Sequence, residues 1–215
     1  MHLKRQKVPK NWPIPRKGTT YVVKPSFSLN KGVPILIILR DILKVAQNRK
    51  EVKKALISKQ ILLNDRVVKD EKHNALLFDV VKIIPLKKNY RIEIFENKKF
   101  GVKEIKEIES NSKIAKITNK KILKGGKTQL NLSDGNNFIS KLKCKTNDSV
   151  IINFKKKGIE GCIPLKEKTK VIVFDGKHSG KKGVIHKIDT KNKITEIIVE
   201  KNKINVLIKQ LMVVK

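Results

Sequence analysis

The sequence predicts an α+β protein that is mostly β, divided into an arm and three small modules. Three observations lead there. Helical periodicity is strongest over about 35–57, short apolar runs between turn residues fill most of 90–214, and prolines break up the first 33 residues. Hydrophobic residues make up 39% of the 215 and aromatics 5%, which suits several small cores better than one large one. The expected divisions are a basic extended arm over 1–33, a small α/β module over 34–88, a central β domain over 89–165 and a small barrel over 166–215.

In the arm, Pro9, Pro13, Pro15 and Pro25 deny a long helix. Trp12, with Lys10 and Arg16 nearby, either pins the arm to a neighbouring module or stacks on a splayed base or ribose. A helix is expected after Pro34, with Ile35, Leu36, Ile38, Leu39, Ile42, Leu43 and Ala46 on one face. Asn48 can cap a second helix, with Glu51 completing a capping box. On that helix Val52, Ala55 and Leu56 fall on one side, opposite Arg49, Lys50, Lys53 and Lys54. A strand at 61–63 then turns at Asn64 and Asp65, and another runs over 80–84. Residues 90–95 alternate, turn at Asn97 and Lys98, and resume at Phe100, with 102–108 read as one short helix. Strands are expected at 130–132 and 150–154. Closely spaced ones follow at 171–174, 183–188, 194–199, 204–208 and 212–214, a spacing that suggests a small barrel.

Charge narrows the function classes. Lys plus Arg total 51 against 19 Asp plus Glu, a formal net charge of +32. Such a surplus repels itself until phosphates take up the charge and release counterions, so a nucleic acid is the expected partner. No apolar run approaches the ~20 residues of a membrane span, and the N-terminus lacks the apolar core of a secretory signal. A cytosolic protein with no membrane partner is expected. Cys144 and Cys162 form no CxxC and read as free, inert thiols, while the histidines show no metal-ligand spacing with them. Gly125, Gly126, Lys127 and Thr128 end like a phosphate-binding loop, but its first glycine position holds Lys121. Nucleotide hydrolysis is therefore not expected. Neither a catalytic triad nor a carboxylate pair can be placed, and no cofactor, metal or small-molecule substrate is implied.

Two motifs carry resemblances. The run from Asn48 to Asp65, N-R-K-E-V-K-K-A-L-I-S-K-Q-I-L-L-N-D, resembles the alpha-L-type RNA-binding module of several ribosomal proteins and RNA-modifying enzymes. Arg49 and Lys53 fall on its two arginine positions and Asn64 on its Asn, while Lys59 and Asp65 stand where that module has glycine. The run from Val173 to Ile185, V-F-D-G-K-H-S-G-K-K-G-V-I, resembles a KOW element, the strand-loop-strand signature of SH3-like barrels in ribosomal proteins and elongation factors. Its Gly176, Gly180 and Gly183 would let a loop approach a phosphate backbone, with charge from Lys177, Lys181 and Lys182.

The order of parts is similar throughout its length to the archaeal and eukaryotic small-subunit ribosomal protein four family. P-K-N-W-P-I-P-R-K precedes V-P-I-L-I-I-L-R-D-I-L, followed by the alpha-L-like module, F-D-V-V-K-I, a β middle and the KOW element. The W-P-I-P-R-K wording looks archaeal, and Glu71 to Asn74 depart from the family. The resemblance implies a structural protein of the small ribosomal subunit that binds folded 16S-type rRNA, mainly at phosphate and sugar, beside neighbouring small-subunit proteins. The alternative is a KOW-containing transcription or RNA-processing regulator. Expected RNA-binding residues are His2, Lys4, Arg5, Lys7, Lys10, Trp12, Arg16 and Lys17 in the arm. Arg49, Lys50, Lys53, Lys54, Lys59 and Arg66 follow in the second module, and Gly176, Lys177, His178, Gly180, Lys181 and Lys182 in the KOW loop.

Overall fold

The computed structural model describes residues 2–140, 142–200 and 202–214. The chain forms two compact units, Met1–Asn111 and Ser112–Lys215, and is mostly β.

In the first unit, β1 (Leu3–Lys4) pairs antiparallel with β2 (Tyr21–Val22). The segment between them is folded and not the free extended arm expected over 1–33. Three side-chain bonds from Arg5, to the Thr19 and Pro15 carbonyls and to Thr19 Oγ1 at 2.6–2.8 Å, close the loop. Trp12 is 1% exposed, and Phe100 N–H donates to the Asn11 carbonyl at 2.8 Å. The prolines leave no long helix, only a 3-10 turn at Arg5–Lys7, but burial of Trp12 fixes the segment all the same.

After β3 (Gly32–Pro34) comes α1 (Ile35–Ile37), which widens at once into a π turn over Ile38–Ile42. The helix expected to reach Ala46 thus stops early, with Lys44 at φ +53°. Every residue from Ile35 to Leu39 is buried, so this stretch has no solvent face for a regular amphipathic helix to present. α2 (Arg49–Ile57) follows. β4 (Ile61–Leu63), β5 (Arg66–Val67), β6 (Asn74–Leu76), β7 (Val80–Ile83), β8 (Lys88–Ile94) and β9 (Phe100–Ile105) complete the unit. β6 pairs with β3, and the others form one antiparallel sheet in the order β5-β4-β7-β8-β9. This sheet runs straight across residues 88/89, where the sequence suggested a division. Of the helix expected over 102–108, residues 102–105 are strand and 107–108 are turn. Pairing Ile92 with Val102 and Ile94 with Phe100 puts apolar residues side by side, which a short isolated helix could not do.

The second unit holds two five-stranded antiparallel sheets. β10 (Ser112–Ile122), β11 (Thr128–Leu132), β12 (Asn137–Ser140), β13 (Ser149–Asn153) and β14 (Gly158–Ile163) take the order β12-β11-β10-β13-β14. β15 (Lys170–Val173), β16 (Lys182–Asp189), β17 (Ile194–Val199), β18 (Asn202–Leu207) and β19 (Leu211–Val213) take the order β18-β17-β16-β15-β19. Each sheet has its own core, the first around Ala115, Ile117, Leu130 and Val150, the second around Val171, Ile185, Ile197 and Leu211.

Polar groups tie the two sheets together. Val213 N–H donates to Ser149 Oγ at 3.1 Å, and Leu165 N–H to Asp148 Oδ1 at 2.9 Å. Lys116, cross-strand neighbour of Ser149, donates its Nζ to the Ile208 carbonyl and, at 2.9 Å, to the Leu211 carbonyl. Burial lowers its pKa from 10.5 to about 8. On the other face of β10, buried Lys113 pairs with Asp134 at 2.5 Å. Burial alone would raise the Asp134 pKa, but the Lys113 charge and hydrogen bond, together with the bonds from Asn136 N–H and Nδ2, outweigh it and hold the carboxyl below its ordinary value.

Candidate nucleic-acid interface

The clearest cationic face is on α2. Its first turn is fixed by Asn48, whose Oδ1 accepts from Glu51 N–H at 3.1 Å. The Glu51 carboxylate in turn accepts from Gln47 N–H at 2.7 Å and Asn48 Nδ2 at 2.8 Å. This is a capping box whose return bond reaches one residue further back than usual. Val52 and Leu56 are buried, and the helical period therefore turns Arg49, Lys50, Lys53 and Lys54 outward as exposed residues. The helix ends with Lys59 at φ +54°, the left-handed position where the alpha-L pattern has glycine, so a lysine carries the terminus without extending the helix. Lys59 and Arg66 are both exposed beyond it.

The turn after β4 is equally well determined. Asn64 and Asp65 take φ +51° and +61°, and Asn64 bonds Val80 N–H and Asp79 Oδ1, both at 2.9 Å. Lys82 pairs with Asp65 at 2.6 Å.

Arg49 does not stand alone. Its Nε donates to Glu71 Oε1 at 2.8 Å, and Nη2 reaches the same oxygen. That hydrogen bond raises the Arg49 pKa. Glu71 is buried, whereas the Arg49 side chain is 54% exposed, so the guanidinium is anchored at one edge and open at the other. The departures at Glu71 to Asn74 thus have a structural role. Glu71 anchors Arg49, the Lys72 carbonyl accepts from Ser26 N–H and Oγ, and Asn74 Nδ2 donates to the Ser28 carbonyl at 2.7 Å.

In the N-terminal segment His2, Lys4, Lys7, Lys10, Arg16 and Lys17 are exposed. A cleft of about 50 Å³ brings Arg5, Lys10 and Arg16 together with Lys99. Sequence reasoning missed Lys99, because that turn reaches the segment through tertiary contact, where Phe100 N–H bonds the Asn11 carbonyl. The His2 ring lies tilted against Tyr21, ring centroids 5.2 Å apart. Trp12 cannot stack on a base, because its buried ring offers no free face. Arg5 serves mainly to close its own loop.

The KOW-like loop belongs to the second unit. Gly176 (φ +85°), Lys177 and Lys182 are exposed, while His178 and Lys181 are half-buried. Gly180, at φ +90°, is buried and donates its N–H to the Val173 carbonyl at 2.8 Å, so it shapes the loop from inside. Gly183 lies against the Ile198 carbonyl, where a Cβ would sit at 2.5 Å.

Among the described residues no group of three or more His, Cys, Asp or Glu could hold a metal ion, and no helix is long and apolar enough to cross a membrane. Both cysteines are free. Burial pushes the Cys162 thiol up to about 12, which leaves little thiolate for chemistry.

The Ribosomal family S4e matches residues 86–159, and the RS4NT (NUC023) domain matches residues 1–27. The small ribosomal subunit protein eS4 of Methanocella arvoryzae is 39% identical over 190 residues, covering 87% of this chain and 80% of that protein. Its namesake in Archaeoglobus fulgidus is 37% identical over 187 residues, covering 86% and 79%. In fold, the chain is similar to the crystal structure of the 30S ribosomal protein S4e from Thermoplasma acidophilum, with a TM-score of 0.74 at 22% identity, covering 86% of this chain and 95% of that one. The class is therefore that of a structural protein of the small ribosomal subunit, not an enzyme. The chain belongs to the small ribosomal subunit protein eS4 family.

Proposed function

We propose that this chain holds folded small-subunit rRNA by clamping its phosphates and sugars with separate cationic surfaces. The observation that carries the reading is α2, a capped helix whose apolar side is buried and whose Arg49, Lys50, Lys53 and Lys54 stand exposed on one rigid element. Rigid lysines and arginines position a backbone without reading its sequence, so specificity would come from RNA shape and unpaired bases. In this reading α2, β4 and β5 act as an alpha-L-type module, and β15, its loop and β16 act as a KOW element of an SH3-like barrel. The exposed Lys4, Lys7, Lys10, Arg16 and Lys17 add a third contact region. Neighbouring small-subunit proteins are the other partners.

The test is binding of the full chain to protein-free small-subunit rRNA across a salt series. The expected result is a linear fall of log affinity with log salt, steep enough for several phosphate contacts at ~0.7–0.9 each. A flat salt response, or equal affinity for an unstructured RNA of the same length, would refute the reading.

A further inference from the structure

Beyond the bulge between Ile117 and Asn119, β10 and β11 run on as a hairpin that no motif resemblance covers. Lys120 faces Leu130, Lys121 faces Gln129 and Ile122 faces Thr128. Leu123 N–H then bonds the Lys127 carbonyl at 2.8 Å, and the turn closes through Gly125 at φ +78° and Gly126 at φ +71°. A Cβ at either glycine would meet nothing within 4 Å, so the tip stands in solvent. Four residue steps from Asn119 to Leu123 give a projection of about 13 Å. The turn joins strand to strand, with no helix N-terminus behind it to cradle a nucleotide phosphate.

At the base of this hairpin Leu130, facing Lys120, is buried in the core, but both faces carry exposed residues towards the tip. Lys121, Gln129 and Ile139 lie in one cross-strand row, Ile122, Thr128 and Ser140 in the row on the opposite face. Ile122 is 75% exposed and Ile139 64% exposed. β12 runs beside β11 from Thr128 to Asn131, so a third strand supports the ribbon. Its charge has one sign only. Lys120, Lys121, Lys124 and Lys127 are exposed, and no acidic residue lies between Glu109 and Asp134. Lys120 Nζ also donates to the Cys144 carbonyl at 3.2 Å, which braces the base of the hairpin. On the Lys121 face, Asn119, Asn131 and Asn137 form a second row of side-chain amides.

We infer that this hairpin is a further RNA-binding finger, inserted where folded RNA presents phosphates on more than one side. Lysines on both faces and at the tip suit a polyanion that surrounds the ribbon. The amide row offers donors and acceptors for base edges and 2′-hydroxyls, and the two isoleucines meet ribose and base faces. An acidic protein segment would match the charge but would cover one face only. The inference rests on the proposed RNA-binding reading and adds a contact site to it.

Two experiments decide it. The full-length triple variant Lys121→Ala, Lys124→Ala, Lys127→Ala is compared with wild type on small-subunit rRNA across a salt series, with melting temperature as the fold control. Expected is an unchanged melting temperature and a salt slope flattened by up to ~0.9 per lost contact on duplex, or ~0.7 on single strands. A wild-type slope in the folded variant would overturn the finger alone, whereas failure of wild type to bind would overturn the RNA-binding reading with it. In the second, a photoreactive residue at position 122 in assembled small subunits should cross-link to rRNA. Cross-linking to protein instead would overturn the inference and identify the finger as a protein contact.

Discussion

α2 and β10 are both built from lysines alternating with apolar residues, and they use those lysines in opposite ways. On α2 the 100° step gathers the lysines on an arc away from Val52 and Leu56, where they remain in water. On β10 successive residues point to opposite faces, and between Lys113 and Ile117 both faces are covered. Lys113 is therefore buried beside Asp134, and Lys116 is buried among carbonyls of the C-terminal strands. Past Ile117 the same strand emerges, and its lysines are exposed again. The +32 surplus thus has two components. One lies on exposed surface, and the other is buried within the fold.

The largest expected effect tests the internal component. Asp134→Asn takes the carboxylate from beside a buried ammonium, and removing one partner of a buried pair typically destabilises by about 3–5 kcal/mol. Urea denaturation should show a loss of that size, largely relieved by the double change Lys113→Met plus Asp134→Asn, which removes the buried ammonium and keeps an oxygen to accept from Asn136 N–H. A loss below about 1 kcal/mol would mean that Lys113 behaves as a surface lysine.

Lys116 gives the next effect, read through pH. Folding lowers its pKa from 10.5 to about 8, so between those values the unfolded chain holds a proton that the folded chain has released. Stability from this group should therefore rise as pH increases from about 8 to 10.5, by up to about 3 kcal/mol across the window. The neutral amine can still donate to both carbonyls. The difference between wild type and Lys116→Met, followed by denaturation at pH 7 and pH 10, isolates the effect, and a constant difference would show the ammonium to be solvated.

These two lysines also mark where sequence reading stopped. The cap at Asn48, the face of α2, the Asn64–Asp65 turn and most C-terminal strands follow from local spacing and turn chemistry, and each was legible. Lys113 and Lys116 were not, because a lysine on a strand looks solvated until a second sheet covers it. Glu71 looked like a mere departure because its partner Arg49 lies 22 residues away. The stretch 102–108 looked helical because the strand over 102–105 follows from pairing with β8, which local spacing does not reveal. Trp12 left two readings open, and only its burial decided between them.

Gly180 lies between the two components and gives a smaller effect. It is buried at φ +90°, so Gly180→Ala should lower stability by about 1–2 kcal/mol through backbone strain. Thermal denaturation should report that loss, while rRNA affinity of the folded fraction stays at the wild-type value. Weakened binding without any loss of stability would move Gly180 from the internal component to the contact surface.

The smallest change in stability and the clearest change in binding are expected together on α2. Lys53 and Lys54 are exposed, and neither takes part in the Asn48–Glu51 cap, the Arg49–Glu71 pair or the buried side of the helix. Alanine is also the strongest helix former. Lys53→Ala plus Lys54→Ala should therefore leave the denaturation midpoint within about 0.5 kcal/mol of wild type. If the two ammonium groups sit on phosphates, the slope of log affinity against log salt flattens by up to ~0.9 per contact on duplex, or ~0.7 on single strands. A slope unchanged in the folded double variant would make this face an ordinary solvated one and remove the main support for the clamp. A flattened slope with unchanged stability is the converse of the Asp134 result. The two outcomes together would separate the lysines that hold RNA from those that hold the protein.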